Sequence, residues 1–203
     1  IGGHGGVYLR ELLDHLADED FSIVAGVDPA AEKSGHYQDL KQLGVPLFES
    51  LESFYDSGGE ADLVMIVSPI HFHRAQTELA LARGASVLCE KPLCATIQDA
   101  RAMAEAERNA DGFVAIGYQW SYSTAIQTLK ADIMAGRLGR PRQARTLACW
   151  PRGASYYARN KWAGTLRSGD GEWVLDSPIN NAVAHYLHNM FYLMGTTRET
   201  SAV

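Results

Sequence analysis

The sequence is poor in cysteine and has no long apolar run. Its three cysteines, Cys89, Cys94 and Cys149, are odd in number and scattered, with no CxxC pair, which suggests neither a disulfide framework nor a zinc site. Reduced, mostly buried thiols in a cytoplasmic protein are expected. No stretch approaches the roughly 20 apolar residues of a membrane helix, and no signal-peptide pattern appears. Repeats and low-complexity segments are lacking as well. Basic charge is not in excess: the net charge is −6 over 203 residues, which argues against a broad nucleic-acid or anionic-membrane surface. An anionic small molecule is still allowed, because local arginines can oppose the global sign. Also missing are an initiator methionine and a strand ahead of the opening IGGHGG. With one glycine before Ile1, Gly2 and Gly5 would complete G-x-G-x-x-G, so the chain is expected to begin inside that fingerprint.

What is present suffices for a sizeable core, with 46% hydrophobic residues, and for one full domain and part of a second. Leu9, Leu12, Leu13 and Leu16 repeat at helical spacing after the glycines. FSIVAGVDP (21–29) is an apolar run ending at an acid. DLVMIVSP (62–69) reads as a strand buried on both faces, SVLCEKP (86–92) as the next strand and FVAIGYQW (113–120) as another, with helical patterns between them. This alternation predicts βαβ units and a doubly wound parallel sheet, with a dinucleotide-binding Rossmann domain over residues 1–120. Residues 121–203 read differently. They hold one helix (STAIQTLKADIMAG), a strand with weak alternation (RQARTLACW, 142–150), an aromatic and basic stretch (WPRGASYYARNKWAG) and a final helix (INNAVAHYLHNMFYLMG). With one clear strand to pack that helix, this second, substrate and oligomerisation domain is expected to be incomplete.

Gly2, Gly3 and Gly5, with His4 among them, would let backbone approach a pyrophosphate at a helix N-terminus. Asp28 lies 28 − 5 = 23 residues after Gly5, where an acid accepts hydrogen bonds from a ribose; it could equally start a helix beside Pro29. An acid there repels a 2′-phosphate, so NAD is favoured over NADP, although Lys33 could reach one. His71 and His73 follow a strand's carboxyl end, the edge where open α/β sheets bind ligands, and each also suits an ordinary helix start. In CEKP, Lys91 sits at the same edge with Glu90 beside it; a desolvated lysine exchanges protons near neutrality, while an unremarkable surface Lys–Glu pair is the alternative. On the last helix Asn181, His185, His188 and Tyr192 are spaced 4, 3 and 4 apart and share a face, either lining a cavity or lying in solvent. Val183, Leu187, Met190 and Met194 form the stripe expected to meet the core. A metal at His185 and His188 is the poorer reading, since no carboxylate or cysteine completes the set. Arg152, Tyr156, Tyr157, Arg159, Asn160 and Trp162 offer the aromatic faces and donors that a polyhydroxylated or carboxylated molecule requires.

Taken together, IGGHGG, GVDP, DLVMIVSPIHFH, GASVLCEKPL, GYQW, GRLGRP and INNAVAHYLHNMFYLMG resemble the Gfo/Idh/MocA oxidoreductases in family order along essentially the whole chain, EKP being the most specific piece. The resemblance implies a Rossmann domain, then an α/β domain with an open, mostly antiparallel sheet. It also implies hydride transfer between NAD(P) and sugars, cyclitols or related secondary alcohols. Lys91 matches the family's active-site lysine, whose bond to the following proline is often cis, and His185 matches its catalytic histidine. His73 and Pro69 match the loop on the nicotinamide side, and Ser68 and Glu90 are expected to join the cofactor set. Tyr118, Arg159, Asn160, Trp162, Asn181 and His188 fall to the substrate. The chain departs from the family where Asn181 stands in place of the usual Asp four residues before the histidine, with Asp176 further back, and where Ile70 replaces an Asn. A full-length homo-oligomer acting on a polyol or sugar-like substrate, with no metal, is expected. An NAD-dependent glycosidase of the same family and a catalytically silent nucleotide-binding regulatory protein are the alternatives.

Overall fold

The computed structural model describes residues 1–15 and 21–197; Leu16, the last of the predicted helical repeat, lies outside the described residues. The chain divides into two compact units, Ile1–Cys89 with Arg101–Ala115, and Glu90–Ala100 with Ile116–Val203.

The first unit alternates strands and helices. Helix α1 (Gly5–His15) follows the glycines, then come β1 (Gly26–Val27), α2 (Tyr37–Gln42), β2 (Leu47–Phe48), α3 (Leu51–Asp56), β3 (Leu63–Ile66), α4 (His73–Ala82), β4 (Ser86–Cys89), α5 (Ile97–Arg108) and β5 (Val114–Ile116). Strand β1 pairs in parallel with β2, and β3, β4 and β5 form a second sheet in that order, with β3 parallel to β4 from Leu63 opposite Ser86 to Ile66 opposite Cys89. Of the apolar run 21–29 only two residues pair as strand, because β2 offers a ladder just two residues long.

Helix α4 shows how the sequence sets the packing. His73, Thr77, Ala80 and Leu81 fall on one face and are all buried, the spacing a helix needs to cover a sheet. The helix closes with Gly84 N–H on the Leu81 carbonyl and Ala85 N–H on the Ala80 carbonyl, both at 3.0 Å, the paired bonds of a glycine-terminated helix. Gly84 takes φ +84°, which a side chain would resist. Ser50 and Ser53 cap α3 reciprocally, each side chain accepting the other's backbone N–H. Leu40, Leu51, Phe54, Ile66, Val87 and Met103 fill the interior.

The second unit's longer elements are helices, α6 (Thr124–Met134), a single helical turn α7 (Ala154–Tyr157) and α8 (Ala184–Met194), joined by long irregular stretches. Helix α8 does not begin at Ile179 as its pattern suggests. Pro178–Ala182 form a wider π-type turn capped by Ser177, and Val183 (φ −112°, ψ 15°) separates it from α8. Residues 142–150 are a correction to the strand expected there. They form no ladder, and Leu147 is 83% exposed; an isolated strand has no neighbour to satisfy its N–H and C=O groups. The antiparallel pairing in this unit's described residues is one bridge, Arg167 with Trp173. The α8 stripes are also corrected. Tyr192 and His185 are buried, whereas Met194 is exposed and Val183, Leu187 and Met190 only half-buried. Fully buried Lys130 on α6 explains part of this, donating to the Tyr192 and Gly195 carbonyls at the C-terminus of α8. Cys89 is buried, Cys94 half-buried and Cys149 exposed, so the thiols are less uniformly interior than expected. No helix among the described residues is long and apolar enough to cross a membrane.

Candidate active site

In the first unit the glycine segment turns tightly into α1. Gly5 N–H bonds the Gly2 carbonyl at 2.9 Å, Val7 N–H bonds His4 at 3.0 Å, and Gly3 has φ +54°. Asp28, the residue after β1, is tied to this turn: Oδ2 accepts from Gly2 N–H at 2.7 Å and Oδ1 from Ala30 N–H at 2.9 Å. A Cβ at Gly2 would lie 2.8 Å from that Oδ2, so a side chain there would displace the carboxylate. Partial burial raises the Asp28 pKa, the Ala30 and Gly2 N–H bonds oppose it, and the carboxyl sits below its ordinary value. Asp28 therefore makes the turn-type bond expected of a helix starter while also holding the glycine segment.

Ser68 and Pro69 follow β3. His73 lies at the start of α4 with its ring buried, and its Nε2 bonds the Ser68 carbonyl at 2.9 Å. Its position is beneath the loop, where it supports the turn that carries Ser68 and Pro69. Ser68 Oγ bonds Gln76 at 2.6 Å. A glycine turn feeding a helix N-terminus, whose first N–H groups lack intrahelical acceptors, suits a pyrophosphate, and an acid fixed beside it suits ribose hydroxyls.

The second unit gathers most of the other candidates. Glu90 is buried and accepts Lys91 N–H at 2.8 Å, and the Lys91–Pro92 bond is cis. Lys91 Nζ donates to Asn181 Oδ1 at 2.8 Å and to the Asn181 carbonyl at 3.2 Å. Asn181 Nδ2 in turn donates to Asp176 Oδ1 at 2.9 Å, and Gly164 N–H donates to Asp176 Oδ2 at 2.7 Å. Asp176, further back than the family's usual acid, lies five residues before Asn181 and off the helical stripe. The wide turn at Pro178–Ala182 brings it back, and only the odd Pro-led start of the helix signalled this. Burial pushes the Lys91 pKa down; the Glu90 and Asp176 carboxylates oppose it, and Arg159 and Arg152 add to it.

His185, four residues beyond Asn181, is buried, stacks on Trp120 (5.1 Å between centroids) and meets the edge of Tyr118. Tyr118 stacks on His188 at 4.1 Å, and His188 Nε2 lies 3.3 Å from Ser121 Oγ. Ser121 Oγ donates to the Tyr118 carbonyl, so His188 Nε2–H is the donor to Ser121. Burial, and then His185, lower the His188 pKa. Tyr192 Oη accepts from Gln127 at 2.9 Å. Arg159 lies over Tyr156 and near Trp162. Asn160 is exposed and folds back on its own turn, its Oδ1 accepting Trp162 and Ala163 N–H at 3.1 and 2.7 Å, which commits that oxygen locally. Among the described residues no cluster of three or more His, Cys, Asp or Glu is arranged to hold a metal.

The parallel α/β arrangement with a glycine turn and an acid after the next strand defines an NAD-binding Rossmann fold. A family model described as an oxidoreductase family with NAD-binding Rossmann fold matches residues 1–118. The chain belongs to the Gfo/Idh/MocA oxidoreductase family. It is 32% identical over 125 residues to a 1,5-anhydro-D-fructose reductase of Ensifer adhaerens, covering 61% of this chain and 36% of that protein. It is 33% identical over 136 residues to an inositol 2-dehydrogenase of Streptomyces avermitilis, covering 63% of this chain and 38% of that one. The crystal structure of the WlbA dehydrogenase from Bordetella pertussis, in complex with NADH and UDP-GlcNAcA, superposes with a TM-score of 0.74 at 22% identity over 95% of this chain and 54% of that one. The matches thus cover little more than a third of these curated relatives and about half of the solved protein.

Proposed function

We propose that the protein is an NAD-dependent dehydrogenase that moves a hydride between the cofactor and a secondary alcohol of a sugar or cyclitol. The observation that carries this reading is the join between Lys91, just beyond β4, and Asn181 in the wide turn four residues ahead of His185. Residues Gly2 to Gly5 at the start of α1 would hold the pyrophosphate, and Asp28 the adenosine ribose. The Asp28 carboxylate opposes a 2′-phosphate, which favours NAD over NADP. Ser68, Pro69, Glu90 and Lys91 complete the cofactor set, with His73 supporting the loop.

A bound nicotinamide supplies the hydride acceptor. An ammonium has three donors; Lys91 commits two to Asn181, and the third polarises the alcohol oxygen, where negative charge grows as hydride leaves. His185 takes the hydroxyl proton. Trp120 and Tyr118 fix its ring plane, Asn181 fixes Lys91, and Tyr118, His188, Arg159 and Trp162 contribute to the substrate wall. In this reading residues 1–120 are the dinucleotide-binding domain and 121–203 part of the substrate and oligomerisation domain. The protein acts in the cytoplasm as a homo-oligomer, without nucleic acid. The relatives' alcohol and sugar substrates support the substrate class.

The test is NADH formation at 340 nm with NAD, NADP and a panel of sugars and cyclitols, run on the wild type and Lys91→Ala. Turnover is expected with NAD and at least one alcohol, and to fall by about 10² to 10⁴ in the variant, as for a lost acid–base group, with cofactor still bound. Near-normal turnover in the variant would reject the role of Lys91. Cofactor binding with no net NADH from any alcohol would reject the dehydrogenase reading.

A further inference from the structure

One stretch of the second unit carries charge unlike the rest of the chain. The protein is acidic overall, with a net charge of −6, yet between Asp132 and Asp170 it has no Asp or Glu and eight cations, seven of them arginine. Arg137 pairs with Asp132 and Arg167 stacks on Trp173, while two others are held around Tyr156. The Arg159 guanidinium lies 3.6 Å from the Tyr156 ring centroid and donates Nη1 to the Tyr156 carbonyl at 2.6 Å. The Arg152 guanidinium lies 4.7 Å from the same ring and 3.7 Å from that of Trp150, and its buried Nε has no hydrogen-bond partner among the described residues. Neither guanidinium has a carboxylate partner among the described residues.

The segment is also tied to the candidate site. Asn160 Oδ1 holds the turn at Ala163, Gly164 N–H reaches Asp176, Asp176 holds Asn181, and Asn181 holds Lys91. Glu90 and Asp176 already face the Lys91 ammonium, whereas the two guanidiniums repel one another and it unless an anion joins them. Stacked guanidiniums are preorganised forks for oxyanions.

We propose that the substrate carries an oxyanion substituent, a carboxylate or a phosphate, bound by Arg152 and Arg159 while its alcohol meets Lys91. The protein thus takes sugar acids or sugar phosphates ahead of neutral polyols. This rests on the dehydrogenase reading for its alcohol, but the anion site is measurable without turnover.

The experiment is calorimetric binding to the NAD-saturated protein of D-glucuronate, D-galacturonate and D-glucose 6-phosphate, against D-glucose and D-galactose. At least one anion is expected to bind about tenfold or more tightly than its neutral counterpart, as one charge-assisted bond would give, and to weaken with added salt. Uronate against phosphate shows which oxyanion is meant. Arg159→Gln and Arg152→Gln should erase most of that preference with a smaller change for the neutral sugar, and Arg159→Lys should retain part of it. Equal binding within every anionic and neutral pair overturns the proposal, as do Gln variants that weaken both members alike. Binding of heparin or single-stranded RNA tighter than any sugar acid also overturns it, assigning the basic stretch to a polyanion. Tight uronate binding without NADH formation refutes only the dehydrogenase reading; NADH from neutral alcohols with no anion preference refutes only the anion site.

Discussion

Replacing Asp176 by Asn tests the least obvious part of the site. Asp176 is 8% exposed, and its two oxygens accept from Gly164 N–H and Asn181 Nδ2. A carboxylate only accepts, so Asn181 must turn its NH₂ toward Asp176 and its oxygen toward Lys91, where it receives Nζ at 2.8 Å. Asp176→Asn leaves one oxygen for two donors, and Asn181 then gains a second amide orientation that presents NH₂ to the ammonium. The loss of one hydrogen bond to a charged group costs about 1.5–3 kcal/mol. In a chain of this size each kcal/mol lowers Tm by about 2–4 °C, giving a drop of about 3–12 °C in a thermal melt. The variant should also change the chemistry. Burial depresses the Lys91 pKa, and the Asp176 charge opposes that; removing the charge moves Lys91 deprotonation to lower pH. If the ammonium polarises the alcohol oxygen, the alkaline limb of the kcat/KM profile shifts toward acid. A melt within a degree of wild type together with an unmoved alkaline limb would refute the reasoning.

Three further outcomes are expected. Asp28→Ser should weaken NAD binding by about 10- to 100-fold, the cost of a lost hydrogen bond from a charged acceptor, and narrow the preference over NADP; fluorescence titration with both cofactors checks it. Lys130→Met keeps the side-chain volume but strands the Tyr192 and Gly195 carbonyls, so the melt should fall by an amount corresponding to about 1–3 kcal/mol for each acceptor left bare. His188 has a folded pKa below its ordinary value, chiefly through burial. Below about pH 6.5 the unfolded chain therefore binds a proton that the folded one refuses, and stability falls as pH drops toward the folded pKa. His188→Gln should flatten that acidic slope in urea melts, and an unchanged slope would contradict the assignment.

Much of this architecture was legible because it rests on local signals. The apolar runs at 62–69 and 86–92 and the Ala-rich helix ending at Gly84 need only periodicity and a terminating glycine. Lys91 stands out because a charged residue follows a buried strand. Other features depend on partners distant in the chain. RQARTLACW alternates too weakly to specify a strand, and no neighbouring ladder supplies the rest. The buried face of α8 follows His185 and Tyr192 because Lys130, 62 residues away from Tyr192, anchors that end. Asp176 falls outside any helical-spacing pattern because the chain between it and Asn181 is a wide turn, and the hold of Asn160 on its own turn shows only in its bonds to Trp162 and Ala163.

The central claim is that Lys91 and His185 act on one alcohol oxygen while hydride passes to the nicotinamide. The most direct measurement is a crystal structure of the ternary complex with NADH and an unreactive substrate alcohol. The account predicts Lys91 Nζ and a ring nitrogen of His185 both within about 2.6–3.2 Å of the same oxygen. An alcohol bound against the nicotinamide with either group out of reach of that oxygen would contradict it.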